Sequence, residues 1–207
     1  MTAEPVRRLP RAERREQILT AATRAFARTG YTATGLDDVA GEAGVTHVIL
    51  YRHFDSKSEL YRAALDRACT QLADTVGVDD YDEGSIAALL RAAAADPDGF
   101  RLLFRHAARE PEFRDVIDTI RAASTEIAGH HLTERIPDGP WRHWAARLLP
   151  TVTLEAVIAW LDTGQPDPGR AAEYISYAID GVIHAALGEH SDPARGAEDV
   201  GLRRIER

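Results

Sequence analysis

The sequence has very little cysteine and very little lysine. Cys69 is its one cysteine and Lys57 is its one lysine, so arginine supplies the rest of the Lys/Arg total of 25. A single cysteine excludes an internal disulfide, and no neighbouring ligands place it in a zinc motif. We therefore expect neither a disulfide-stabilised secreted fold nor a metal site, and the sequence predicts a protein that uses no cofactor.

Long apolar segments are missing as well. No uninterrupted apolar run approaches the length needed to cross a bilayer, although 44% of the residues are hydrophobic. The first residues, MTAEPVRRLPRAERREQ, contain no apolar stretch of the kind found in a secretory signal. The sequence therefore predicts a cytoplasmic protein with no membrane partner. Its 207 residues suffice for one generous core, or for a small domain packed on a larger one.

Sequence motifs of enzymes are also lacking. There is neither a glycine-rich phosphate loop nor a nucleophile elbow. Cys69 has no histidine at a spacing that would activate it, and the turn-spaced pair His130 and Glu134 has no evident third metal ligand. We predict a protein without catalytic residues. An enzyme that uses the helical body is the alternative.

The net charge of −8 is spread unevenly along the chain. Residues 1–58 contain nine Lys/Arg against seven Asp/Glu, which is +2, so the remainder carries −10. Five of the nine cations lie in the first fifteen residues. Because phosphate binding depends on the local charge, the acidic whole-chain balance does not exclude a nucleic-acid partner.

Hydrophobic periodicity is helical almost throughout, which predicts an all-α fold. We expect a basic N-terminal arm over 1–10, a three-helix unit over 11–58, a larger helical body over 59–190, and a polar tail over 191–207. The predicted helices cover about 11–28, 36–43, 47–54, a fourth helix starting after Ser56, 85–95, 97–109, 111–136, 140–163 and 169–187. Thr34, Thr46 and Ser56 are the predicted caps of the second, third and fourth helices.

The segment LDDVAGEAGVTHVILYRHF contains two short helices joined by a glycine turn, which is the pattern of a helix-turn-helix. Leu50 and Phe54 share one helical face and are expected to hold the second helix against the core. The opposite face would enter the major groove of DNA. An ordinary helical hairpin with a solvated polar face gives the same pattern.

The outer face of this helix carries groups suited to DNA. His47 can donate to or accept from a base edge, and Val48 can pack on a thymine methyl group. Residues better placed for phosphate oxygens are Thr34, Thr46, Tyr51, Arg52 and Lys57. The arginines of the N-terminal arm, Arg7, Arg8 and Arg11, either follow the DNA backbone or minor groove or belong to a solvated tail.

From about residue 11 to residue 60 the chain resembles the TetR family of bacterial transcriptional regulators. The resemblance rests on ILTAATRAFARTGYTATGLDDVAGEAGVTHVILYRHFDSKSELY, and above all on LYRHFDSKSEL. It implies a homodimeric repressor that binds a double-stranded, near-palindromic operator and is released by a small-molecule effector. The resemblance also implies that 11–58 form a helix-turn-helix DNA-binding domain and that 59–190 form a helical ligand-binding and dimerisation domain. Family members commonly carry glycine in place of Val48 and a basic residue in place of His47, so base preferences do not transfer. A DNA-binding dimer without an effector is the alternative.

The last two long helices are too apolar to be lone surface helices. The stripe on the final helix predicts a dimer face formed by Ile175, Ala178, Ile179, Gly181 and Val182. The same stripes would also serve to close the core of the protomer. Aromatic and polar residues on apolar helices predict a cavity for an apolar or amphipathic effector. The candidate lining residues are Phe100, Phe104, His106, Trp144, Thr151, Glu155 and Trp160.

Overall fold

The computed structural model describes residues 9–77 and 84–188, and within these ranges the chain forms helices and turns without a strand. The predicted all-α fold is confirmed. Its α-helices are α1 (Arg11–Ala33), α2 (Leu36–Ala43), α3 (His47–Tyr51), α4 (Lys57–Val76), α5 (Ser85–Ala95), α6 (Pro97–Arg101), α7 (Arg114–His131), α8 (Pro140–Asp162) and α9 (Pro168–Leu187). The predicted tail 191–207 lies outside the described residues, as do Arg7 and Arg8.

Local signals set the ends of the N-terminal helices. The Thr46 hydroxyl accepts the N–H of Ile49 at the start of α3, and the Ser56 hydroxyl accepts the N–H of Glu59 at the start of α4. Gly44 ends α2 in the left-handed conformation, with φ +62°. The predicted caps at Thr46 and Ser56 are confirmed. Helix α3 is shorter than predicted, since it ends at Tyr51.

The predicted cap at Thr34 is wrong. Gly35 precedes the first turn of α2, and its N–H donates to the Asp38 carboxylate at 2.7 Å. A non-helical glycine also interrupts α1, since Gly30 has φ +80°. This conformation favours glycine, and it separates the regular part of α1 from its last turn.

One hydrophobic core joins the N-terminal helices to the body. Leu50 and Phe54 of the α3 region are buried in it with α1, α2 and α4. Residues that follow α6 extend the same core and are fully or nearly fully buried: Leu102, Leu103, Ala107, Phe113 and Ile117. Because the core is continuous, the position of α3 depends on how these body segments pack.

The segment between α6 and α7 departs from the two continuous helices predicted there. A π-helix covers Leu102–His106, and 3₁₀ turns cover Ala107–Arg109 and Pro111–Phe113. Leu102, Leu103 and Ala107 are all buried in the common core, and a wider π turn changes the directions in which such neighbouring side chains point. Tertiary burial therefore overrides helical periodicity at this point.

Helices α8 and α9 pack against each other and against α5 and α7. Two further clusters of buried residues lie along them, one around Val157 and Ile175 and one around Leu149 and Ile183. By length and composition α8 is apolar enough to span a bilayer, although no uninterrupted apolar run within it is long enough to do so. A core helix of a soluble protein meets the same criterion, and α8 supplies buried residues to both clusters.

Candidate functional site

The short helix α3 is held from behind and exposed in front. Leu50 is 0% and Phe54 is 1% exposed, and the Arg15 guanidinium lies over the Phe54 ring at 4.7 Å. On the other side, Val48 is 62% and Tyr51 is 49% exposed. A large apolar side chain projecting from a rigidly packed helix is suited to contact a partner surface.

His47 lies on the same exposed face as Val48 and Tyr51. Its ring contacts the Tyr51 ring edge to face, with 4.9 Å between centroids. Its Nδ1 lies 3.8 Å from the Asp37 carboxylate, whereas its Nε2 has no hydrogen-bond partner among the described residues. The histidine is therefore held beside Asp37 and Tyr51, with its side chain 43% exposed and its Nε2 atom buried.

The predicted phosphate contacts are dispersed around α3. Arg52 is exposed directly after the helix, and Arg11 is exposed at the start of α1. The Lys57 ammonium instead lies over the Tyr31 ring at 4.5 Å and donates to the Thr32 carbonyl at 3.4 Å. These contacts hold the lysine beside the α1–α2 connection. Thr46 is exposed, and its hydroxyl also caps α3.

Thr34 does not belong to this surface. It is 2% exposed, and its hydroxyl donates to the Gly30 carbonyl at 2.7 Å. Asp37 and Asp38 occupy the first turn of α2, where a phosphate would otherwise find free N–H groups. The prediction that Thr34 contacts DNA is wrong, because its side chain is buried and hydrogen-bonds to the backbone at the end of α1.

The body encloses a cavity of about 680 Å³ between α4, α5, α7, α8, α9 and the π-helix. Its walls are mainly aliphatic and aromatic: Leu72, Ile86, Leu89, Phe104, Ile120, Ile127, Leu154 and Ile179. Hydroxyl groups are interspersed among them, on Thr119, Ser124, Thr153 and Ser176. The volume and the apolar walls with few polar groups are typical of a small-molecule site.

Of the seven residues predicted to line a pocket, the structure places only Phe104 in this cavity. Phe100 and Trp160 are buried in the core beside it, and the Trp160 indole donates to the Pro166 carbonyl. Trp144, Thr151 and Glu155 are exposed on α8. His106 lies outside the cavity lining, where it contacts α1 of the N-terminal domain.

His106 connects the body to α1. Its Nε2 is 2.8 Å from the Ala27 carbonyl, and a Cβ at Gly30 would lie 3.1 Å from its Nδ1. Burial lowers the pKa of His106 below its usual value, and the hydrogen bond to Ala27 partly offsets this effect. The neutral ring donates through Nε2–H to a carbonyl near the end of the regular part of α1. Phe104, two residues earlier on the same π-helix, lines the cavity.

Sequence reasoning missed most of the cavity, including its charged end. Arg135 and Asp180 both line it, with the Arg135 Nη2 atom 3.3 Å from the Asp180 carboxylate. The available signal was the recurrence of hydroxyl and small residues on the inner faces of α7, α8 and α9. Only the helix packing shows that these three faces meet.

The predicted dimer face divides between the inside and the outside of the protomer. Ile175 is buried, Ile179 lines the cavity, and Val182 packs against the cluster around Ile183. These three are therefore largely committed to the protomer's own core. The outer stripes of α8 and α9 are formed instead by exposed residues: Trp144, Thr151, Glu155, Tyr174, Tyr177, Ala178 and Gly181.

Cys69 lines the cavity as a protonated thiol. Burial, with a smaller contribution from Asp66, raises the pKa of Cys69 to about 11. A thiol in this state is a poor nucleophile. Within residues 9–77 and 84–188 no group of three or more His, Cys, Asp or Glu side chains is arranged to hold a metal ion.

Residues 18–64 match the family model described as bacterial regulatory proteins, tetR family. The HTH-type transcriptional activator FasR of Mycolicibacterium smegmatis is 32% identical over 200 residues, covering 87% of this chain and 88% of that protein. The HTH-type transcriptional repressor SCO4008 of Streptomyces coelicolor is 38% identical over 89 residues, or 42% of this chain and 46% of that protein. The similar proteins are transcriptional regulators and not enzymes.

Solved structures share the fold. A TetR-like transcriptional regulator from Rhodococcus sp. RHA1 has a TM-score of 0.72 at 21% identity, covering 88% of this chain and 100% of that chain. A TetR family transcriptional regulator from Chloroflexus aurantiacus has a TM-score of 0.68 at 14% identity, covering 86% of this chain and 94% of that chain. Both similarities extend beyond the N-terminal helices into the body.

Proposed function

The chain belongs to the TetR family of bacterial regulatory proteins, and we propose that it is a homodimeric repressor released from a near-palindromic operator by a small-molecule effector. DNA binding and transcription regulation follow from the family. The dimer, the palindrome, the effector and the direction of regulation are the proposed part. We further propose that the protein acts in the cytoplasm, with an apolar or amphipathic effector.

The exposed face of α3 is the observation that carries the DNA-binding role. His47, Val48 and Tyr51 project from a helix whose other side is fixed by Leu50 and Phe54. In a helix-turn-helix the second helix enters the major groove, where side chains contact base edges. We assign base contacts to His47 and Val48 and phosphate contacts to Thr46, Tyr51, Arg52 and Lys57, with Arg7, Arg8 and Arg11 following the DNA backbone.

Footprinting on DNA that flanks the gene, followed by titrations at several salt concentrations, tests this role. We expect protection of a near-palindrome and a linear fall of log K with log salt, with a slope of roughly −0.9 for each phosphate neutralised. The physical reason for the salt dependence is that the basic residues expected to contact phosphates are concentrated in the N-terminal region. A flat salt response, or equal affinity for random duplex, would contradict the proposal.

Two-fold symmetry supports the dimer, because a palindromic site needs two recognition helices about one turn of DNA apart. The exposed stripes of α8 and α9 offer the required surface, with Tyr174 at 56% and Tyr177 at 67% exposure in the single chain. A self-complementary face of this kind generates a closed dimer. We therefore place the dimer contact on the outer sides of α8 and α9, around Ala178 and Gly181.

Gly181→Leu is expected to weaken this dimer without harming the protomer. A Cβ at Gly181 would meet nothing within 4 Å inside the chain, and leucine has the higher helix propensity. Between two closely packed helices the added side chain costs about 1–3 kcal/mol, so the dissociation constant should rise roughly 5- to 150-fold. Sedimentation equilibrium measures that constant.

Gly41→Leu is the matched control, because a Cβ at this exposed glycine of α2 also meets nothing within 4 Å. It should leave the dissociation constant unchanged. If the unmodified protein is a monomer at micromolar concentration, or if both variants behave alike, the dimer assignment is wrong.

An activator is the second candidate, and the name of the M. smegmatis relative favours it. The two roles differ in where the operator lies and in the effect of deleting the gene. A reporter under the footprinted promoter should increase in the deletion strain if the protein represses. A decrease would assign the activator role and leave the DNA-binding assignment intact.

A further inference from the structure

The cavity has its charged groups at one end. Arg135, in the turn after α7, faces Asp180 of α9, and both line the cavity. Their side chains are 52% and 48% exposed, so this end opens to solvent. His131, one turn before Arg135, also lines the cavity.

The remaining walls carry no formal charge. Phe104 and Ile120 pack against the core shared with the N-terminal helices, and aliphatic side chains of α4, α5 and α8 also line the cavity. A ligand that fills this space must present apolar surface along its length. A polar group can be accommodated at low cost only where Arg135, Asp180 and water are available.

We propose that the cavity binds a single-chain amphiphile with an acidic head group, such as a carboxylate, which pairs with Arg135 in exchange for Asp180. The apolar chain of the ligand then extends toward Phe104. This assignment rests on the proposed effector function and specifies the chemical class of that effector.

The geometry of the ion pair favours an acid over a cation. A single Nη2–Oδ1 contact of 3.3 Å is long for a charge-assisted hydrogen bond, which lies at about 2.7–2.9 Å when well formed. A guanidinium has five donors in a planar fork, and a carboxylate can engage two of them at once. The Arg135–Asp180 contact uses one donor, so the fork retains capacity for a second carboxylate.

The present partner of Arg135 can be exchanged. Arg135 is a permanent cation, and Asp180 is the carboxylate beside it. Half-exposed ion pairs contribute little stability, so exchanging Asp180 for a ligand carboxylate costs little. When no ligand is bound, Asp180 pairs with Arg135 and holds its side chain at the solvent-exposed end of the cavity.

Calorimetric titration of the full chain without DNA, using decanoate, decanol and decylammonium, tests this inference. The three probes share one chain and differ in head-group charge. We expect decanoate to bind most tightly. Arg135→Gln should weaken decanoate binding roughly 2- to 5-fold, because it removes a half-exposed charge pair, and should leave decanol binding unchanged. Asp180→Asn should strengthen decanoate binding several-fold, because it removes the competing carboxylate.

Arg142→Gln is the matched control, because Arg142 pairs with Asp138 outside the cavity. This variant should bind decanoate as tightly as the unmodified chain does. Tightest binding of decylammonium, lost in Asp180→Asn, would assign a cationic ligand and overturn the proposal. Equal binding of all three probes, or binding of none, also overturns it. Operator binding by the same preparations is measured separately, so failure of the ligand class is distinguishable from failure of the DNA-binding role.

Discussion

Replacing His47 or Val48 with alanine should change which operator is preferred, whereas replacing Tyr51 or Lys57 should weaken binding to every duplex. The first two lie on the outer side of α3, to which we assign the base contacts; Val48 is exposed and the His47 side chain is 43% exposed. Each lost base contact should cost about 1–3 kcal/mol at the base pair concerned and little elsewhere. A lost phosphate contact lowers affinity uniformly and reduces the salt slope by roughly one.

The measurement is a titration of each variant against the operator and its single-base-pair substitutions at two salt concentrations. For Val48→Ala we expect the penalty at a thymine, since Val48 is 62% exposed and its methyl groups can pack on a thymine methyl group. Lys57→Ala also removes the contact of the ammonium with Tyr31, so its thermal unfolding is measured in parallel.

Arg121→Ala is the charge-matched control, because Arg121 is exposed on α7, outside the helix-turn-helix segment. It should leave both the affinity and the salt slope unchanged. A shift of base preference in Tyr51→Ala, together with none in His47→Ala, would reverse the assignment of the two sides of α3.

The second large effect is the coupling between effector and operator. An effector in the cavity should reduce operator affinity about 5- to 150-fold, which corresponds to a coupling free energy of about 1–3 kcal/mol. Linkage requires the operator to weaken effector binding by the same factor. Titration of decanoate with and without saturating operator measures one factor, and titration of operator with and without decanoate must give the same factor.

Two structural connections lead from the cavity to the N-terminal domain. Helix α4 lines the cavity with Cys69, Leu72 and Val76, and its first turns are buried in the common core beside α1. The π-helix lines it with Phe104 and holds the Ala27 carbonyl through His106. A ligand that displaces either element changes the orientation of the N-terminal domain, and in a dimer it changes the distance between the two α3 helices.

His106→Ala should therefore reduce the coupling factor toward one while decanoate binding alone remains, because His106 lies outside the cavity lining. Arg121→Ala is again the control: this side chain is exposed on α7, outside the cavity lining and the proposed dimer face, and should leave the coupling unchanged. Equal decanoate affinities with and without operator in the unmodified protein would show that decanoate is not an effector, however tightly it binds.

The sequence by itself determined the helix-turn-helix and the family. Local signals suffice for these, since caps at Thr46 and Ser56 depend on neighbours three residues away, and Gly44 ends α2 through its own conformation. The buried pair Leu50 and Phe54 follows from a four-residue spacing on one short helix. Such signals predict which face of α3 is exposed without knowledge of the rest of the chain.

Only the tertiary structure decided the use of the other residues. Thr34 is of a residue type that often caps helices, and its burial against Gly30 depends on the turn at the end of α1. Trp144 and Trp160 lie on one helix, yet only the packing of α8 shows that the first is exposed and the second is core. Arg135 and Asp180 are 45 residues apart and meet where the turn after α7 approaches α9. Helical periodicity predicts which side of a helix is apolar. The neighbouring helices determine whether that side faces a core, a cavity or a second subunit.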